Sequence, residues 1–394
     1  MQKAECRPYV CKMKHKSGNL LVLGYQTLNY KKTRLMQTQS NKIDFNGQNI
    51  YVGFDVHLKS WTVTIMTDKL THKTFSQPPS PEVLHHYLVK TFPGGTYHSA
   101  YEAGFCGYWI HNKLTEFGIK SMVVNPADIP TTEKEKVQKT DPRDSRKIAR
   151  SLRNGDLKAI YVPSLTTLED RGLVRTRATL VKDLTRFKNR IKAFLYFHGI
   201  EFPDTFKASG THWSNRFIKW LEDVEMSTSS GKASLNAYLT QSKNLRVSIL
   251  QVTKQIRDLA NTDSYRNQQL LLRSIPGIGL ITAMIILTEI ENIGRFSNFD
   301  QLCGFIGLVP STNSTGDNIV IGDITPRGHS ILRSAIIESA WIAARLDPAL
   351  NKSYHDYCKR MESNKAIIRI ARKLTSRIRF VLKNNQSYVC SVVK

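Results

Sequence analysis

The sequence predicts an α/β domain near the N-terminus, followed by a helical coiled-coil segment and a mainly α-helical C-terminal domain. Three observations lead to this division. Alternating β-branched and aromatic residues begin at Asn49, strand signals stop near residue 165, and two long, charged, periodic runs follow. Strands that alternate with helices are typical of an α/β domain.

Residues 1–48 precede the first strand signal and are polar and basic, with weak periodicity. Two interpretations fit them. They form a disordered basic arm, or part of them is an upstream extension of the reading frame, because Met36 offers a second start.

The predicted α/β domain spans residues 49–163. The stretch "NIYVGFDVHLKSWTVTIMTD" predicts two adjacent strands with a turn near Leu58–Lys59, and "KTFSQPP" predicts a third strand. In "SPEVLHHYLVKTF", Ser80 is a candidate N-cap and Pro81 a first helical residue. A strand ("YHSAYEAG"), a helix ending at Gly118, another strand ("IKSMVVNP") and a helix at "DPRDSRKIARSL" complete the domain.

Residues 164–268 carry the two amphipathic runs, which predict a coiled coil that is either antiparallel within the chain or intermolecular. Residues 269–394 form the third predicted domain. Its turn Pro276–Gly279 resembles a helix-hairpin-helix, in which backbone N–H groups bind a phosphate, or it is an ordinary buried helical turn. A Gly/Ser/Thr-rich loop is predicted after residue 308, before further helices.

The charge of the chain points to a polyanionic partner. There are 57 Lys and Arg residues against 32 Asp and Glu, which gives a net charge of +25. Binding to nucleic acid releases condensed counterions, so nucleic acid is the expected partner. An anionic membrane is the second candidate, but no basic amphipathic helix is placed to bind it. The longest apolar stretch is too short to span a bilayer. The six scattered cysteines lack zinc-ligand spacing and predict free thiols in a cytoplasmic protein without a secretory signal.

Four acids stand out within this basic chain. Asp55 and Glu102 each lie in a predicted strand, while Asp141 and Asp144 lie three residues apart at a predicted helix start. Singly, each has an ordinary explanation: strand-edge acids pair with Lys or Arg, and Asp at an N-cap with an acid at N3 stabilises a helix start. Together they form an oxygen-ligand set suited to Mg²⁺ ions that act on a phosphodiester. Surrounding cations would then attract the nucleic acid, and they include Lys139, Arg143, Arg146 and Lys147.

The segments "GFDVHLKS", "YEAG" and "KTDPRDSRKIARSL" resemble the D, E, D and D segments of a RuvC-like, RNase H-fold domain. That domain belongs to a family of insertion-sequence transposases, relatives of the Piv DNA invertase that are understood as bridge-RNA-guided serine recombinases. The segment from "LLRSIPGIGL" to "AWIAARLDP" is similar to the transposase domain of the same family, so the resemblance covers residues 49–380. It implies that Asp55, Glu102, Asp141 and Asp144 are catalytic ligands of Mg²⁺, with Mn²⁺ as a substitute.

The resemblance also implies a nucleophilic serine in the loop "GLVPSTNSTGDN". Ser311, Thr312, Ser314 and Thr315 all carry hydroxyl groups, and the position before glycine favours Ser314. The pair Asp317–Asn318 departs from the family, where many members have another glycine or a basic residue. Arg327 and Arg333 are candidate phosphate contacts, with a solvated helix face as the alternative, whereas His57 is expected to be structural.

The family resemblance implies double-stranded DNA, both donor ends and target, and a non-coding guide RNA as partners. It further implies a homodimer that pairs into a tetramer, in which carboxylates of one protomer complete a site with the serine of another. Three alternatives remain at this stage. They are a RuvC-like nuclease or junction resolvase that uses only the acids, a protein-only invertase, and a decayed transposase that only binds nucleic acid.

Overall fold

A computed structural model describes residues 44–133, 140–315, 318–324 and 327–390, with the backbone alone for 312–315 and 318–321. The chain divides into two compact units, one ending at Ile160 and the other beginning at Tyr161. Residues 1–43 of the predicted basic extension 1–48, and Lys139, lie outside the described residues. The predicted three-domain boundaries stay predictions.

The first unit is a mixed sheet with helices. Its strands are β1 (Asn49–Val56), β2 (Trp61–Thr67), β3 (Thr71–Gln77), β4 (Thr96–Glu102) and β5 (Lys120–Val124). Its helices are α1 (Pro81–Thr91), α2 (Trp109–Glu116) and α3 (Asp141–Asn154). The strand order is β3-β2-β1-β4-β5. The first three strands are antiparallel, and β4 and β5 run parallel to β1. The prediction of an α/β domain is confirmed, and the mixed sheet is consistent with an RNase H-like fold.

The local signals in this unit act as the sequence predicts. The Ser80 side chain accepts a hydrogen bond from Val83 N and caps α1. Gly118 follows α2 with a φ of 78°, a conformation that favours glycine. The start of α3 differs from the expected cap. Thr140, not Asp141, is the N-cap residue, and its side chain makes no capping hydrogen bond.

Helix α3 lies directly against the sheet. A Cβ atom at Gly53 would come within 2.2 Å of Ala149 N and 2.5 Å of Ser145 O, so only glycine allows this approach of helix and strand. The buried hydroxyls of Thr64 and Ser145 lie 2.9 Å apart across the same interface. Ile148 and Leu152 of α3 pack in an apolar cluster with Ala100 and Val124 of the sheet. These contacts fix the start of α3 relative to the end of β1.

The second unit is mainly helical. Its helices are α4 (Leu165–Phe197), α5 (Asn215–Asp223), α6 (Ser229–Ala260), α7 (Arg266–Arg273), α8 (Leu280–Ile290), α9 (Phe299–Ile306), α10 (Ser330–Leu346), α11 (Pro348–Cys358) and α12 (Ser363–Asn384). The described backbone also contains an antiparallel hairpin of β6 (Pro310–Thr315) and β7 (Asn318–Ile324). The predicted loop in this region is therefore corrected to a hairpin, because the β-branched residues of "NIVIGDI" outweigh the glycines and serines around them.

Helices α4 and α6 pack against each other within the chain, in antiparallel directions. Ile191 near the end of α4 contacts the cluster of Leu235 near the start of α6. Val174 near the start of α4 shares the large C-terminal core with Ile256 near the end of α6. The supercoil of a true coiled coil stays a prediction.

The turn between α7 and α8 packs on α10. Gly277 has a φ of 87°, and a Cβ atom there would lie 2.4 Å from the Ser339 carbonyl oxygen. This packing accounts for the glycine without a ligand, and phosphate binding by the turn stays a prediction. Among the described helices, none has the length and apolar content that crossing a bilayer requires. The described cysteines Cys106, Cys303, Cys358 and Cys390 are free thiols.

Candidate active site

The sheet of the first unit brings the strand acids to one edge. β1 and β4 are parallel, with Phe54 in register with Tyr101, so Asp55 and Glu102 follow on neighbouring strands. Because the carboxyl ends of parallel strands open onto the same edge, both carboxylates lie there. Helix α3 begins with Asp141, and the Gly53 contact holds that helix against β1.

Asp55, His57 and Asp141 form a cluster in which one ligand atom from each lies within 4.8 Å of the others. The Nε2 atom of His57 is 3.2 Å from Asp55 Oδ2 and 3.4 Å from Asp141 Oδ2. The sequence suggested only a local structural part for His57. The spacing of two residues between Asp55 and His57 is a sequence signal for this arrangement, because residues i and i+2 of a strand lie on the same side.

Glu102 and Asp144 meet through Lys147. The Nζ atom of Lys147 is 3.4 Å from Asp144 Oδ1 and 3.9 Å from Glu102 Oε1. The Lys147 side chain is only 10% exposed, which differs from the accessible phosphate contact that the sequence predicted. The reason is helical geometry, since positions i and i+3 lie on one face, so Lys147 follows Asp144 into the acidic cluster.

Burial and neighbouring carboxylates disfavour the ionised form of Asp55. Burial raises the pKa of Asp55 above its usual 3.8, and the charges of Asp141 and Asp144 raise it further, while His57 acts in the opposite direction. A carboxylate whose ionised form is disfavoured by like charges gains most from a bound metal ion. The oxygen donors with one imidazole fit a hard divalent cation, since Mg²⁺ and Mn²⁺ both accept such ligands.

Two of the predicted nucleic-acid contacts on α3, Arg143 and Arg146, are exposed. Arg150 on the same helix is exposed as well. Their exposure is compatible with binding phosphate, and this role stays a prediction.

In the second unit, Ser314 lies on β6, in register with Ile319 of β7. Ser311, the other serine of the strand, donates a hydrogen bond from its hydroxyl to the Asp323 carbonyl oxygen at 3.1 Å. A Cβ atom at Gly322 would lie 2.4 Å from that hydroxyl, so Ser311 is held against β7. Ser311 therefore has a structural role in the hairpin, and the choice of Ser314 as the nucleophile stays a prediction.

The buried carboxylate of Glu289 contacts His329, which lies in the segment after the hairpin. The Glu289 side chain on α8 is 1% exposed and lies 2.7 Å from Arg175 Nε, 3.2 Å from Arg171 Nε and 3.0 Å from His329 Nε2. Burial opposes ionisation of Glu289, but hydrogen bonds from His329 and Arg175 outweigh it and lower its pKa to about 2. No local sequence pattern indicates this network, because its members lie far apart in the chain.

The two predicted arginines lie near this network. Arg327 is exposed, and its backbone packs beside Gly307, where a Cβ atom would lie 2.7 Å from the Arg327 carbonyl oxygen. Arg333 is half-buried and donates from Nη1 to the Gly307 carbonyl oxygen at 3.4 Å. Phosphate contact by either arginine stays a prediction.

A mixed sheet with acids at one edge, followed by a helical unit, is consistent with a DEDD-type α/β domain. A family model described as a transposase, with the label DEDD for the IS110 group, matches residues 52–199. A second model, described as the transposase of the IS116/IS110/IS902 family, matches residues 269–355. The chain therefore belongs to the IS110/IS116/IS902 family of transposases.

Named relatives agree with this family. A protein of Sinorhizobium fredii, provisionally named transposase y4qE, is 32% identical over 252 residues, which cover 64% of this chain and 60% of that protein. The transposase for insertion sequence element IS1533 of Leptospira borgpetersenii is 27% identical, over 75% of this chain and 85% of the relative. The transposase for IS1111A of Coxiella burnetii is 26% identical, over 73% and 78%. Transposases are enzymes that cut and rejoin DNA.

Proposed function

We propose that this protein is the transposase of an insertion sequence and that it cuts and rejoins DNA strands through a phosphoserine intermediate. The observation that carries the proposal is the placement of the acids at one edge of the sheet. Asp55 and Asp141 lie on either side of His57, and Glu102 and Asp144 lie on either side of Lys147. The relatives named as transposases of insertion sequences support the same reaction class.

The four acids would hold Mg²⁺, with His57 as a further ligand and Mn²⁺ as a substitute. When bound, the ion supplies charge stabilisation to a phosphodiester and lowers the repulsion between its oxygens and the carboxylates. Asp55, being half-buried, is oriented by His57 on one side. Lys147 neutralises part of the charge of Glu102 and Asp144 and keeps their side chains in place.

Ser314 is the proposed nucleophile. Its hydroxyl oxygen forms a bond to the phosphorus of the scissile phosphodiester, and the bond from phosphorus to one deoxyribose oxygen breaks. The serine proton is transferred overall to that leaving deoxyribose oxygen. One phosphodiester replaces another, so the reverse step can join a new strand without an external energy source.

We further propose that a non-coding bridge RNA pairs with donor and target DNA and supplies the sequence specificity. The net charge of +25 would allow the protein to bind RNA as well as DNA. The active assembly would be a dimer that pairs into a tetramer, in which acids from one protomer act with the serine of another. Such a protein would act in the cytoplasm of a bacterium or archaeon, at the nucleoid.

A metal-dependent nuclease or junction resolvase is the second candidate, because the acid cluster alone would suffice for hydrolysis by an activated water molecule. A protein-only invertase would need the serine but no RNA. These functions differ in which components are required.

The test measures strand cleavage and strand exchange on DNA that spans the ends of the element, with Mg²⁺ or EDTA and with or without flanking transcript. Asp55→Asn should abolish both reactions, whereas Asp156→Asn, which alters an exposed acid of the same unit, should preserve them. Exchange that needs the transcript supports guided transposition. Exchange without it would indicate an invertase, and cleavage without any exchange would indicate a nuclease.

A further inference from the structure

The last helix, α12, carries cations and no acids. Seven Lys and Arg residues lie between Ser363 and Asn384, and neither Asp nor Glu occurs there. At 3.6 residues per turn, five of these cations fall within about 40° on either side of one line along the helix. They form what we call the α12 stripe: Lys365, Arg369, Arg372, Arg379 and Lys383.

The opposite face of α12 is fully engaged in the core. Ile367, Ile370, Leu374, Ile378 and Val381 are buried in the large apolar cluster of the second unit. A basic amphipathic helix that binds a membrane inserts its apolar face into the lipid, and here that face is not available. A role for the stripe therefore rests on its exposed charges and not on insertion of the apolar face into lipid.

Most of the stripe has no carboxylate to neutralise it. Arg372 lies 3.1 Å from Asp300, and Lys365 lies 4.0 Å from Asp323. Among the described residues, Arg369, Arg379 and Lys383 make no ion pair.

Like charges four residues apart destabilise a helix by roughly 0.2–0.5 kcal/mol per pair. The stripe contains two such pairs, Lys365 with Arg369 and Arg379 with Lys383. An arrangement that is unfavourable in the free protein is expected where a polyanion provides the missing charge.

The stripe has the dimensions of a nucleic-acid track. From Lys365 to Lys383 it extends about 27 Å at 1.5 Å per residue. One strand of B-DNA presents a phosphate roughly every 3.4 Å along its axis, so about eight phosphates would lie beside the helix. Phe380, 51% exposed at the margin of the stripe, offers an aromatic surface on which an unpaired base could stack.

One end of the stripe opens into a cleft beside the hairpin that carries Ser314. This cleft has a volume of about 770 Å³. Pro310, Gly322 and Asp323 of the hairpin line one side, and Lys365 and Arg369 of α12 line the other. A strand that follows the stripe would therefore be led to the hairpin.

We propose that the α12 stripe binds the phosphate backbone of the DNA strand that enters the cleft and is attacked by the hairpin serine. This inference rests on the proposed function for the nature of the attack, but binding by the stripe can be measured without it. The three cations without an ion pair, Arg369, Arg379 and Lys383, are the main contacts.

The test is the salt dependence of DNA affinity for the full chain, by fluorescence anisotropy with a labelled duplex of about 30 base pairs between roughly 50 and 200 mM salt. The variant is Arg369→Gln/Arg379→Gln/Lys383→Gln, since glutamine keeps helix propensity. Three lost phosphate contacts should reduce the slope of log affinity against log salt by about 2.7. The matched control, Lys182→Gln/Lys254→Gln/Arg257→Gln, removes the same charge from exposed positions on α4 and α6.

The control should change the slope by less than about one. Equal changes of slope in the stripe variant and the control would show that the stripe contributes only to the net charge of the protein. That result would overturn the proposal. Weaker binding of transcript with unchanged DNA binding would also overturn it, because the stripe would then serve RNA. A variant with lysine at 369 and 379 keeps the charges and should restore the slope, which separates charge loss from misfolding.

Failure of the stripe and failure of the proposed function can be distinguished. Ser314→Ala should keep the wild-type salt slope while losing covalent chemistry. Suppose that the wild-type protein forms no covalent adduct but the stripe variant still shows the reduced salt dependence of DNA affinity. The proposed serine chemistry is then wrong, and DNA binding by the stripe is supported. If the wild-type protein and the stripe variant both form the adduct at the same DNA concentrations, the proposal that the stripe binds the attacked strand is wrong.

Discussion

Gly53 is the residue on which the geometry of the acid cluster most depends, and Gly53→Ala tests this directly. The added Cβ atom would lie 2.2 Å from Ala149 N, 2.5 Å from Ser145 O and 2.7 Å from Ala149 Cα. All three atoms belong to the backbone of α3, so no side-chain rotation relieves the contact. The helix must move away from β1, and Asp141 and Asp144 must move with it.

Overpacking of a core costs about 1–3 kcal/mol, and contacts with backbone belong at the upper end of that range. A loss of about 3 kcal/mol should lower the melting temperature of the first unit by roughly 10 °C. Scanning calorimetry measures that shift. Isothermal titration with Mn²⁺ should show weaker metal binding in the same variant, because the acids on α3 are displaced from Asp55.

Gly104→Ala is the matched control, because a Cβ atom there meets nothing within 4 Å and its φ is not positive. Its melting temperature should stay within about 2 °C of wild type, as for other surface substitutions. A Gly53→Ala protein as stable as this control, with unchanged Mn²⁺ affinity, would refute the reasoning that close packing of α3 on β1 builds the site.

The remaining predictions concern single side chains. In EDTA, Asp55→Asn should raise the melting temperature near pH 7. The pKa of Asp55 is raised in the folded protein, so ionisation of its carboxyl group destabilises the metal-free fold as pH rises. With added Mg²⁺, the variant should no longer be stabilised by the ion. Glu289→Gln should cost about 3–5 kcal/mol at neutral pH, because it removes the buried carboxylate that Arg171, Arg175 and His329 contact. The exposed control Glu338→Gln should cost less than about 0.5 kcal/mol. Because the Glu289 pKa is lowered from 4.5 to about 2, its contribution is present above pH 4.5 and should fade as pH falls toward 2 in urea melts. Ser311→Ala should cost about 1 kcal/mol through its lost bond to Asp323 and should leave DNA cleavage measurable.

Local signals predicted the first unit well. Alternation through β1 and β2 and the cap at Ser80 act over a few residues, so the sequence displays them directly. Asp55 and Glu102 were recognised because acids within apolar strands are unusual. Their meeting follows from the parallel pairing of β1 and β4.

Long-range packing explains what the sequence did not display. Lys147 looked like a surface cation, but α3 turns it toward Asp144 and Glu102. His57 looked structural, yet the end of β1 places it between two carboxylates. The buried Glu289 network joins α4, α8 and the start of α10, and no local pattern records such a meeting.

The composition of the β6–β7 hairpin is more typical of a loop than of paired strands. Serine, threonine and glycine around Ser314 suggested a loop, whereas β6 and β7 pair as antiparallel strands. The hydrogen bond from Ser311 to Asp323 gives one of the two serines a structural part that only the fold could show.

The central claim is a covalent serine chemistry that depends on the acid cluster. The most direct measurement is an SDS-resistant protein–DNA adduct, formed with Mg²⁺, element-end DNA and flanking transcript, and mapped to one serine by peptide mass spectrometry. We expect an adduct on Ser314 in wild type and in Ser311→Ala, and none in Ser314→Ala or Asp55→Ala. Strand cleavage that survives Ser314→Ala without any adduct would contradict this expectation and make the protein a metal-dependent nuclease.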